Sequence, residues 1–189
     1  MINDYAERIL ELAKNNKALT YGTFRLSSGN TSTYYFDGRV LTLDPEGGYL
    51  VGKAFLEILR ACGAEAIAGP TLGADPIVSA VAALSYVEGW PIPGLIVRKE
   101  VKSHGGKRSI EGPLKPGSKV AIVDDTCTTG TSLFLAIEAL EAEGCEVIMV
   151  MSILDRGEGG SDKIRRYGYP FRTLLEATCT GEIKVVEEL

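Results

Sequence analysis

Four short apolar runs separated by helix-patterned stretches constrain this chain more than any other feature of its 189 residues. The runs fall at 66–68, 94–97, 119–123 and 146–154, with helical patterns at 76–87 and 131–143, the second stopped by Gly144. A strand that is apolar at nearly every position is buried on both faces, which a parallel sheet covered by helices provides. The expected fold is therefore α/β: a Rossmann-like parallel sheet flanked by helices, in a single domain spanning 1–189. A chain that is 45% hydrophobic can fill such a core.

The first forty or so residues break the alternation. Residues 4–14 read as an amphipathic helix with Tyr5, Ile9 and Leu12 on one stripe. Residues 20–40 change period, and the aromatic run Thr33-Tyr34-Tyr35-Phe36 with the turn Ser28-Gly29-Asn30 predicts a hairpin in which Tyr35 faces away from its neighbours. Asp44 then caps a helix that carries Pro45 in its first turn and runs to about Arg60, before Gly63. The tail after Arg156 is also expected to leave the alternation. Residues 1–43 and that tail would form a hood over the edge of a core at about 44–156.

Charge and cysteine pattern exclude several classes. Acids outnumber bases by 25 to 20, a formal charge of −5, which argues against nucleic acid as a partner held by overall charge. Cys62, Cys127, Cys145 and Cys179 show no Cys-x-x-Cys spacing, so neither a zinc site nor a disulfide framework is indicated. Reduced thiols and a cytoplasmic location are expected. The start Met1-Ile2-Asn3-Asp4 has no secretory pattern, and no apolar run is long enough to cross a bilayer, so no membrane partner is predicted.

In open α/β sheets ligands bind beyond the carboxyl ends of the strands. The third run delivers Asp124-Asp125-Thr126-Cys127-Thr128-Thr129-Gly130-Thr131-Ser132 and then a helix. Backbone N–H groups at a helix start, with the hydroxyls of Thr128, Thr129, Thr131 and Ser132, make a donor set suited to phosphate. No lysine follows the glycine, so this is not a Walker loop. Two aspartates beside an anion site would repel it unless sugar hydroxyls or Mg²⁺ intervene, and a ribose 5-phosphate satisfies both halves. Backbone donors around Cys127 act to lower its thiol pKa, but no second catalytic partner accompanies it, so it reads as a structural small residue.

The second run ends in 98–108, with five cations (Arg98, Lys99, Lys102, Lys107, Arg108) against Glu100, the histidine His104 and paired glycines. Such a segment suits a cover that neutralises a departing pyrophosphate. Lys107 and Arg108 read as exposed charge.

The string at 120–132 resembles the phosphoribosyl-pyrophosphate (PRPP) signature of the type I phosphoribosyltransferases. Within that superfamily, Arg98-Lys99-Glu100-x-Lys102-x-His104-Gly105 resembles the catalytic loop of the orotate phosphoribosyltransferases. The stretches 26–37, 69–76 and Leu154-Asp155-Arg156 are similar to that family's substrate segment, pyrophosphate-side loop and orotate-holding strand end. The chain departs from the pattern at Ser27 and at Leu72-Gly73, where relatives carry lysines, so those cations must be replaced by others.

The resemblance implies transfer of the phosphoribosyl group from PRPP to orotate, in pyrimidine synthesis, with Mg²⁺ as cofactor held through PRPP rather than by direct protein ligands. It assigns Lys102, His104, Asp124 and Asp125 to catalysis. Arg98, Lys99, Lys102, His104 and Asp124 through Ser132 would bind PRPP, and Thr128 and Arg156 would bind orotate. Arg156 would grip the carboxylate with its planar fork, with an ion pair to Asp155 or Glu158 as the competing role. The resemblance also implies a homodimer whose loop 98–108 reaches the neighbouring site. A purine or uracil phosphoribosyltransferase, or a non-enzymatic regulator of this fold, are the alternative readings.

Overall fold

The computed structural model describes residues 2–25, 31–98 and 109–187. Helix α1 (Ile2–Asn15) buries Ala6, Ile9 and Ala13 on one stripe, and Tyr5 and Leu12 pack half-buried beside them. Strands β1 (Leu19–Arg25) and β2 (Thr31–Phe36) pair antiparallel as the expected hairpin. Along β2, Ser32, Tyr34 and Phe36 turn inward and Tyr35 outward, as strand alternation requires.

A short helix that the sequence pattern did not disclose, α2 (Gly38–Thr42), follows at once, capped by the Asp37 side chain. Helix α3 (Pro45–Cys62) starts where Asp44 Oδ1 accepts from the amides of Glu46 and Gly47, at 3.0 and 2.9 Å. It closes at Gly63, whose φ of +72° suits a residue without a Cβ.

The remaining elements are β3 (Ala66–Pro70), α4 (Asp75–Val87), β4 (Gly94–Val97), β5 (Ile110–Glu111), β6 (Lys119–Cys127), α5 (Thr131–Ala142), β7 (Glu146–Asp155), α6 (Gly160–Arg166), β8 (Phe171–Ala177) and β9 (Ile183–Val185). Among the described residues they form a seven-stranded sheet in the order β5-β4-β3-β6-β7-β8-β9. The five central strands are parallel, and the short edges β5 and β9 run antiparallel.

Two differences from expectation concern the tail and β6. Past Arg156 the alternation continues, because α6 leads into β8, which pairs parallel with β7 from Val150↔Phe171 to Asp155↔Glu176. The tail thus widens the main sheet instead of capping it. Strand β6 also runs four residues beyond Val123, so Asp124 through Cys127 are strand and not loop.

Each face of the sheet has its own core. Ala121 and Val123 point to the layer of α1, α3 and α4, with Phe55, Leu59 and Ile77. Val120 and Ile122 point to the layer of α5 and α6, with Leu133, Ile137 and Ile164. The chain passes from β3 to β4 on one side and then returns to β6 on the other. That reversal places a switch point between β3 and β6, where a ligand crevice belongs.

Candidate active site

The crevice arises where β3 and β6 part. Their pairing ends at Ala68↔Ile122, whereas β6 stays paired with β7 as far as Cys127↔Asp155. Beyond Ile122 one edge of β6 therefore opens into a cavity of ≈ 620 Å³. Asp124, Asp125, Thr126, Thr128, Thr129, Gly130, Thr131 and Ser132 line it.

Asp124 and Asp125 are held close together with little solvent. Asp124 is only 7% exposed. Its Oδ1 accepts from the Asp125 amide at 2.9 Å and its Oδ2 from the Ser132 hydroxyl at 2.8 Å. Burial, and then the neighbouring Asp125 charge, push the Asp124 carboxyl up to about 7 against the pull of those two donors. Burial also raises Asp125, which accepts from the Thr126 hydroxyl at 3.3 Å.

The loop between β3 and α4, which contains a cis Thr71–Leu72 peptide bond, closes on the same pair. A Cβ at Gly73 would lie 2.6 Å from Asp125 Oδ1 and 2.9 Å from Asp124 Oδ1. Glycine there leaves space that the two carboxylates use.

The donor loop is built at the start of α5. Gly130 takes φ +76° as the residue preceding the helix, a conformation open to glycine. Gly160 supports the turn from below: its amide donates to the Thr128 carbonyl at 3.0 Å, and a Cβ there would fall 2.5 Å from that oxygen. The Thr129 and Thr131 hydroxyls lie 3.0 Å apart. Amides and hydroxyls thus converge beside the acids, as expected for a phosphate seat.

Other sequence-predicted residues are placed elsewhere. The Cys127 side chain is 1% exposed within the core beneath α5 and does not line the cavity. Burial pushes its thiol up to about 12, the reverse of the lowering expected from a loop position. Thr126 lines the cavity, whereas Cys127 packs with Ile122 and Leu133 in the core beneath α5.

Arg98 follows β4, with its guanidinium 3.2 Å from Glu111, and is not part of the cavity wall. Lys99, Lys102 and His104, with Lys107 and Arg108, lie outside the described residues, as does Ser27.

Arg156 follows the end of β7, and its amide donates to the Cys127 carbonyl at 2.9 Å. Its side chain turns toward the hairpin. Nε donates to Glu158 Oε1 at 2.9 Å, Nη2 approaches the Ser32 hydroxyl at 3.4 Å, and the guanidinium carbon lies 4.6 Å from the centre of the Tyr34 ring. It lines a smaller neighbouring cavity of ≈ 310 Å³ with Tyr34, Glu158 and Thr178. The ion pair with Glu158, the competing role for this residue, is present.

The hairpin and α2 supply cavity residues that sequence reasoning did not single out for roles. Tyr35 and Phe36 line the wall, and so do Asp37 and Arg39. Asp37 Oδ1 accepts from Arg39 Nε at 3.0 Å and Oδ2 from Nη2 at 3.1 Å, which holds the Asp37 carboxyl below the usual carboxylate range. The detectable signal was Asp-Gly-Arg directly after the aromatic strand.

Among the described residues no helix is long and apolar enough to cross a membrane, and no cluster of His, Cys, Asp and Glu forms a ready-made metal cage.

Comparison with known proteins agrees with this geometry. Residues 51–174 match the phosphoribosyl transferase domain family. The chain is 44% identical over 172 residues to an orotate phosphoribosyltransferase of Aquifex aeolicus, covering 90% of this chain and 94% of that one. It is 48% identical over 166 residues to the Synechocystis orotate phosphoribosyltransferase, covering 87% and 82%. The Mycobacterium tuberculosis orotate phosphoribosyltransferase, solved in complex with PRPP, superposes with a TM-score of 0.76 at 33% identity, covering 92% of this chain and 96% of that one. With a matching fold and matching sequence along most of its length, the chain belongs to the orotate phosphoribosyltransferase family of phosphoribosyl transferases.

Proposed function

We propose that this site transfers the 5-phosphoribosyl group of PRPP to orotate, giving orotidine 5′-monophosphate and pyrophosphate. The observation that carries the reading is the Asp124–Asp125 pair, its first member buried, opening into the same cavity as the donor loop 128–132. Their carboxylates accept from the ribose hydroxyls, and the amides and hydroxyls from Thr128 to Ser132 seat the 5′-phosphate.

In the reaction the bond between the anomeric carbon and the diphosphate oxygen breaks as a bond to the orotate ring nitrogen forms, and the proton of that nitrogen passes to the departing diphosphate. Positive charge develops on the sugar ring in the transition state, and the two acids lie where that charge is favoured. Alignment of the reactants in a cavity of this size supplies much of the rest. Lys102 stabilises the departing diphosphate, with Arg98, Lys99 and His104 in support, and Thr128 contributes to holding the base. Arg156, already oriented by Glu158 and Tyr34, takes the orotate carboxylate.

The residues present fit Mg²⁺. Hard carboxylate oxygens open into the cavity without a protein cage around them, as suits an ion that retains water and substrate phosphate oxygens. When bound, Mg²⁺ neutralises charge on the diphosphate. Asp124 and Asp125 would contact it through the substrate's ligands. A cytoplasmic homodimer in which loop 98–108 reaches the neighbouring site completes the reading.

The test is orotate absorbance after addition of PRPP, with and without Mg²⁺, and with uracil, hypoxanthine and adenine as competing bases. Mg²⁺-dependent loss confined to orotate is the expected result. Turnover of another base in its place overturns the reading.

A further inference from the structure

The described wall of the large cavity carries three carboxylates, Asp37, Asp124 and Asp125, and a single cation, Arg39. A diphosphate entering such a wall meets net repulsion unless that cation faces it. Arg39 is placed for this by α2. Its neighbour Gly38 packs so closely on Asp125 that a Cβ would come within 2.5 Å of the Asp125 Cβ. Gly73 closes on Asp125 as well, so α2 and the 71–73 loop meet around that acid. The donor loop is tied instead to Asp124, through the Ser132 hydroxyl.

The acid pair therefore has two distinguishable ends. A pentose whose diol straddles it directs its 5′-phosphate to the Asp124 end and its 1-diphosphate toward the Asp125 end, where Arg39 stands. Asp37 grips only the Nε–Nη2 edge of the guanidinium. The grip fixes the group's plane before a ligand arrives, which reduces the ordering cost of binding. A planar fork of N–H donors also matches phosphate oxygens.

We propose that Arg39, held by Asp37, is the cation on this wall that binds the diphosphate of PRPP. The inference rests on the phosphoribosyl-transfer reading above and names a positioning contact within it.

The test measures equilibrium binding of PRPP, inorganic pyrophosphate and orotidine 5′-monophosphate in the presence of Mg²⁺, for the full chain and for Arg39→Gln. The nucleotide shares the 5′-phosphate and ribose with PRPP but has no diphosphate. The expected result is a Kd for PRPP and for pyrophosphate weakened about tenfold or more, the loss of one charge-assisted contact. The nucleotide Kd should stay within about twofold, by the same reasoning. Arg39→Lys should recover part of the loss.

A folded Arg39→Gln with unchanged PRPP affinity overturns the proposal, and so does equal weakening for all three ligands, which would mark a structural role. Should Arg39→Gln fail to fold, Asp37→Asn decides. It leaves the cation but releases it, with PRPP weakened about threefold and the nucleotide unaffected; no change in either overturns the proposal. A wild-type protein that binds PRPP yet leaves orotate unconsumed overturns the choice of base alone. One that binds no PRPP overturns both.

Discussion

Strands β6 and β7 lie side by side and end in register at Cys127 and Asp155, yet they treat charge in opposite ways. The end of β6 sets a buried acid, Asp124, beside a half-buried one, Asp125, and the hydrogen bonds they accept come from hydroxyls and an amide, so that Asp124 is pushed up to about 7. Just past the end of β7, Arg156 is also largely buried, but Glu158 pairs with it, Tyr34 lies under its face and Ser32 is near its tip. One charge is undercompensated and the other is fully matched. The difference teaches what each rim is for: an undercompensated pair favours a ligand that brings hydrogen-bond donors or a cation, whereas a matched arginine needs only orientation to meet a planar anion.

The largest expected effect lies on neither rim strand. Lys102→Ala should lower kcat by about 10²–10³ while orotate affinity barely changes, measured by steady-state kinetics, since a transition-state cation is removed from the site. An unaltered kcat would show that the leaving group depends on the rim charges alone. Next, Asp125→Asn should reduce kcat/KM for PRPP by about 10², because a charged acceptor for the diol is lost. An effect equal to that of a surface substitution would erase the contrast between the two rims.

Arg156→Lys should raise the orotate KM about tenfold and leave that of PRPP within about twofold, because lysine cannot reproduce the fork. Glu158→Gln, which loosens the guanidinium but retains it, should raise the orotate KM only about threefold, within the range of a partly exposed pair. If Glu158→Gln proves the more damaging of the two, the arginine serves the fold and not the base.

The smallest effect is on stability. Asp124 has a folded pKa near 7, above its ordinary 3.8, so it binds its proton more tightly when folded. Its contribution is complete below the unfolded value and is lost as pH rises through about 7. Wild-type melting temperature should fall between pH 6 and pH 8 by about 3–5 °C more than that of Asp124→Asn. Parallel curves for the two proteins would mean that Asp124 is not desolvated.

How much of this the amino-acid order disclosed depends on where the physics is local. Four of the five parallel strands, β3, β4, β6 and β7, and the helices between them were legible because burial on both faces leaves uninterrupted apolar runs. Asp124 and Asp125 were legible for the same reason, as acids abruptly ending such a run. Cys127 was misplaced because the run's apolar character ends at Val123 whereas pairing with β7 carries the strand to residue 127.

Strand β8 was missed because Gly157, Gly159 and Gly160 and the charged α6 resemble a departing tail, and only the pairing with β7 shows otherwise. The edges β5 and β9, of two and three residues, are too short to leave a periodic signal. Arg39 was hidden because a short helix after a hairpin carries no stripe, and its closeness to Asp125 depends on contacts between distant parts of the chain.

The bond from the Arg156 amide to the Cys127 carbonyl sets a gauge. It ties the residue proposed for the nucleobase to the backbone just ahead of the threonine turn, so the spacing of those two main-chain points is fixed, while the guanidinium at the end of the side chain is set by Glu158 and Tyr34.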